Sequence, residues 1–80
     1  MTKTTIYYRA RVTKYEMQLP DFNWADFYDN VYAMFDRAKV REHSMGTGTT
    51  DELGAYSVLW ECKVRVRDFI RAQRVLGGDR

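Results

Sequence analysis

Residues 60–69 read "WECKVRVRDF". Trp60, Cys62, Val64 and Val66 share one parity; Glu61, Lys63, Arg65 and Arg67 share the other. Alternation at period two marks a strand with one buried face. Tyr56 and Val58 carry the apolar parity upstream. A helical reading puts Leu59, Cys62, Val66 and Phe69 on one stripe but leaves Val64 among charges, so the strand explains more positions. A strand over the whole run would be about 40 Å long at roughly 3.3 Å per residue. That is longer than most, so a bend or a shorter core near Val58–Val66 is expected.

Working outward, "TIYYRARVT" near the N-terminus alternates in the same way. Ile6, Tyr8, Ala10 and Val12 oppose Tyr7, Arg9, Arg11 and Thr13, which predicts a second half-buried strand. Pro20 holds Leu19 extended and closes that region. In "NWADFYDNVYAMFDRAK", Trp24, Phe27, Tyr28, Val31, Met34, Phe35 and Ala38 fall on one helical stripe. Asn23 can cap this helix, and Asp26 favours the positive end of its dipole. The segment Val40–Met45 reads either as more helix or as a short strand. The strand is favoured, because two strands alone make a poor sheet. "GTGTT" (46–50) reads as a flexible hairpin connection, with Thr50 or Asp51 starting a turn. A second helix follows Asp68 as N-cap, with Phe69, Ile70, Ala72 and Leu76 as its apolar edge and Gly77 as its C′ residue.

The order β-α-(β)-β-α predicts an α+β domain: a small, mostly antiparallel sheet with two helices on one face. The alternative is one strand followed by two long helices, in a dimer that pairs the lone strand. The 80 residues make a single domain, 1–80. Two Trp, six Tyr and four Phe supply large apolar areas for a core this small. Six tyrosines exceed what such a core can bury with satisfied hydroxyls, so some lie near the surface. The single cysteine, Cys62, forms no intramolecular disulfide and no multi-cysteine metal site. The N-terminus lacks an apolar signal core, and no apolar run approaches the roughly 20 residues that span a bilayer. A cytoplasmic protein with no membrane partner is expected.

The formal net charge is +2, but the signs are segregated. The N-terminal and C-terminal parts are net basic, and 20–38 is net acidic. If the helices cover one sheet face, the other carries Tyr7, Arg9, Arg11, Lys63, Arg65 and Arg67, with Glu61. The first helix presents Asp26, Asp29 and Asp36 on the opposite side of the molecule. Solvated strand residues explain the cations most simply. The sharper reading is a binding face for an anion-rich partner.

No catalytic set stands out. His43 and Ser44 are neighbours in sequence, so on a strand they point apart. Cys62 sits on the apolar parity and reads as a buried, inert thiol. Asp26 and Asp29 have helical spacing for a hard cation, but a solvated acidic face accounts for them. "GTGTT" lacks the Gly-Lys-Ser/Thr ending of a phosphate loop. The expectation is no enzyme, no metal and no cofactor.

Segregated charge, many aromatics, one short domain and no catalytic set give a profile that resembles small inhibitors encoded by phages and mobile elements, including anti-CRISPR proteins. No motif is shared. The resemblance implies a non-enzymatic accessory protein that occupies the surface of a protein or ribonucleoprotein. Two alternatives stand beside it: a nucleic-acid binder using the basic sheet face, and a structural homo-oligomer, with a homodimer as its simplest form.

Overall fold

The computed structural model describes residues 2–77. The chain is an α+β domain with strands β1 (Lys3–Val12), β2 (Glu42–Met45), β3 (Thr49–Thr50) and β4 (Tyr56–Arg65). Helix α1 spans Lys14–Met17, α2 spans Trp24–Arg37, and α3 spans Phe69–Gly77, entered through a 3₁₀ turn at Val66–Asp68. The sheet is antiparallel, in the order β1-β4-β2, with β3 also paired to β4. Residues 56–65 are therefore the central strand and not a second long helix.

β4 is central because it alternates most strictly. Val58, Trp60, Cys62 and Val64 are each 0–1% exposed, and they face α2 and α3. Val31, Phe35 and Ala38 of α2 and Ala72 and Leu76 of α3 complete the core. Phe35 packs edge-on against Trp60 at 5.8 Å and against Tyr8 of β1 at 5.8 Å. Such edge-to-face pairs add about 0.5–1.5 kcal/mol beyond their buried area.

Helix α2 starts as its sequence dictates: Asn23 Oδ1 accepts the Asp26 N–H at 2.8 Å. It stops without glycine. Lys39 takes φ +62°, its N–H donates to Asp36 O, and the Val40 N–H donates to Phe35 O at 3.0 Å. This is a Schellman turn with lysine at C′. It redirects the chain so that Arg41 N–H bonds Lys63 O at 2.8 Å and β2 begins.

Four expectations need correction. The long strand ends at Arg65, so Val66 is 55% exposed and Arg67 leaves the sheet in the 3₁₀ turn. Lys3 of β1 pairs with Arg65, the last residue of β4. Asp68 does not cap α3, because the 3₁₀ turn runs straight into the helix. Gly77 lies within α3 and is not a residue beyond it. The stretch before Pro20 is not simply extended. Thr13 and Glu16 form a reciprocal capping box that winds one turn, α1.

The connection 46–50 is also more ordered than a flexible loop. β2 pairs Met45 with Trp60, and β3 pairs Thr49 with Ser57, a register one residue out of step. The extra residue is a bulge between the two short strands. Asp51 then makes the expected turn, its Oδ1 accepting the N–H groups of Leu53 (2.9 Å) and Ala55 (3.0 Å).

Candidate functional site: the uncovered sheet face

Both larger helices lie on one side of the sheet, so the odd-numbered residues of β1 and β4 face away from them. The register arranges these residues in cross-strand rows. Lys3 faces Arg65; Thr5 faces Lys63, with Glu42 beyond; Tyr7 faces Glu61, with Ser44 beyond. Arg9 faces Leu59, and Arg11 faces Ser57, with Thr49 beyond. Of the expected basic-face residues, the structure brings Tyr7, Arg9, Arg11, Lys63 and Arg65 together and leaves out Arg67.

The sequence reading missed four participants: Lys3, Glu42, Asp51 and Ser57. Lys3 Nζ reaches over β4 to Glu42 at 2.6 Å, and Arg11 bonds Asp51 at 3.3 Å. These ion pairs strap the two ends of the face across the central strand. Ser57, between Arg11 and Thr49, is only 9% exposed. Lys3 holds the Glu42 carboxyl below its ordinary pKa by hydrogen bond and charge. Asp51 is lowered first by the Ala55 N–H and then, after the opposing effect of desolvation, by Arg11. The pairs are well exposed, so each contributes little to stability. Their effect on the face is larger, because each pairs one of its cations with a carboxylate.

Between the straps lies an apolar centre. Tyr7 is 62% exposed and Leu59 39%. Both border a shallow depression of about 350 Å³, together with Ser44, Met45, Gly46 and Glu61. Gly46 is needed there: its N–H bonds Leu59 O at 2.8 Å, and a Cβ would sit 2.9 Å from that same oxygen.

On the other side of the molecule, Asp26, Asp29 and Asp36 are all exposed on α2. At about 100° per residue, Asp29 and Asp36 nearly align along the helix. Asp26 is partly committed to the helix start, accepting from Asn23 Nδ2 at 3.1 Å. His43 and Ser44 do point apart. The His43 ring stacks on Tyr32 of α2 at 5.3 Å, while Ser44 aligns with Glu61. Cys62 is fully buried, and burial pushes its thiol up to about 11. Among the described residues, no three His, Cys, Asp or Glu side chains group as metal ligands, and no helix is long and apolar enough to cross a membrane. Compared with protein-family models, curated proteins and solved structures, the chain matches none.

Proposed function

We propose that this protein is a non-enzymatic binder that acts by occupying a protein surface through its uncovered sheet face. One observation carries the reading: an exposed Tyr7–Leu59 centre framed by charges of both signs. Protein interfaces have this anatomy, with an aromatic or aliphatic core and a polar rim. A face that tracks phosphates needs unopposed cations and several stacking rings. Here Glu42, Glu61 and Asp51 lie among the cations, and Tyr7 is the face's aromatic ring. Protein is therefore preferred to nucleic acid as the partner. The reading extends, on profile alone, to a cytoplasmic phage or mobile-element inhibitor directed at a protein or ribonucleoprotein of its host.

The test compares wild type with Tyr7→Ala/Leu59→Asp and with Asp29→Lys/Asp36→Lys as baits in host extract. The affinity of any captured protein is then measured with purified components. The sheet-face variant is expected to lose at least about tenfold in affinity, since truncating a central anchor costs upward of 1–2 kcal/mol. The acidic-face variant should bind like wild type. Loss in the acidic variant alone would move the site to α2. Direct micromolar binding of DNA or RNA at physiological salt would overturn the protein reading.

A further inference from the structure

β1 is ten residues long and, among the described residues, pairs only with β4. Among the described residues its other edge is open. The hydrogen-bond phase shows what that edge offers. Val66 N–H donates to Thr2 O at 3.3 Å, one pair beyond Lys3–Arg65. In an antiparallel ladder, bonded and non-bonded pairs alternate. Thr4, Ile6, Tyr8, Ala10 and Val12 therefore bond β4, while Thr5, Tyr7, Arg9 and Arg11 turn their N–H and C=O groups outward. Leu59 O, which accepts from Gly46 on β4's other side, fits the same phase. A long open edge of this kind is a template for another strand.

We propose that the occupant is a second copy of this chain, with the two β1 strands antiparallel about a two-fold axis at Tyr8. Charge selects this register. Two-fold pairing through Tyr7 would set Lys3 opposite Arg11, and pairing through Arg9 would set Arg9 opposite Arg9. Pairing through Tyr8 sets Arg9 of one copy opposite Tyr7 of the other and Arg11 opposite Thr5. No like charges then face each other, and each Arg9 gains a ring to lie against. On the inner side Ile6 meets Ala10 and Tyr8 meets Tyr8. A depression of about 420 Å³ lies along the middle of this edge, bordered by Tyr8, Met34, Val75 and Leu76. It receives the Tyr8 ring of the second copy. The dimer is one continuous sheet, and it joins the two uncovered faces at their Tyr7 and Arg9 rows. It stands independently of the binding reading above.

The experiment is mass by sedimentation or light scattering over a concentration series, with cross-linking to read the register. Wild type is expected to pass from monomer to dimer. Tyr7→Pro removes an edge N–H that β4 does not use, so it should stay monomeric with unchanged far-UV circular dichroism. If that variant does not fold, Thr5→Lys, which opposes Arg11 of the other copy, replaces it. Under oxidation, a mixture of Tyr7→Cys and Arg9→Cys chains should cross-link to each other, and neither should cross-link alone. A wild type monomeric throughout, an edge variant that still dimerises, or a cross-link in either single-variant sample would overturn the proposal.

Discussion

Lys39 is the residue whose replacement tests the fold most directly. At φ +62° it occupies the left-handed region, where a Cβ crowds the backbone at a cost of about 1–2 kcal/mol. Glycine escapes that cost but loses about 0.5–1 kcal/mol more chain entropy on folding. Lys39 is exposed and has no ion pair among the described residues, so little side-chain interaction is lost. Its charge near the α2 C-terminus is worth about 0.3 kcal/mol. Lys39→Gly should therefore stabilise the domain by about 0.5 kcal/mol, and Lys39→Ala should fall slightly below wild type. For a chain this size the gain is roughly 2–4 °C in Tm. The Gly–Ala difference isolates the backbone effect, because neither carries charge. Urea titration followed by Trp fluorescence measures it. If the Ala variant is more stable than the Gly variant, the turn that starts β2 is not left-handed.

Three further outcomes follow from the same geometry. A Cβ at Gly48 would run into the Tyr56 hydroxyl, so Gly48→Ala should cost about 1–3 kcal/mol in urea unfolding; no loss would mean that ring lies elsewhere. The Cys62 thiol, moved from 9.0 to about 11, should react with a disulfide reagent near pH 8 at least ~100-fold more slowly than in unfolded chain; a rate within tenfold would show it is not buried. Glu16, Glu42 and Asp51 all have lowered carboxyl pKa values in the folded chain. Their contribution is therefore full at neutral pH and disappears as pH falls below the ordinary carboxylate range. Glu42→Gln/Asp51→Asn should flatten the acid limb of stability against pH, and an unchanged limb would remove both straps.

What the sequence made legible is what periodicity encodes. β1, β4 and α2 each repeat a pattern over ten or more residues, and each lies where that pattern puts it. The end of α2 was ambiguous because its C′ residue is lysine, not the glycine that marks such turns. α1 escaped notice because its capping box precedes a single turn with no buried residue. The parity through Val66 and Arg67 misled for a different reason: the chain leaves the sheet in a 3₁₀ turn at Val66, and alternation alone does not mark that departure. Glu42 and Asp51 reached the site through the register of two short, exposed strands, and no local pattern carries that information.

The face and the core are two readings of one strand. Trp60, Cys62 and Val64 are locked against α2 and α3, so Leu59, Glu61 and Lys63 between them cannot turn without breaking the core. β1 and β2 grip the same strand from both sides, which fixes Tyr7 and Ser44 beside Glu61. A platform held in place by its core in this way loses little conformational freedom on meeting a partner, and such preorganisation favours affinity. The ion pairs at its two ends discourage a polyanion while leaving the centre open. On the reading proposed above, the same arrangement would favour a shaped protein partner over a run of phosphates.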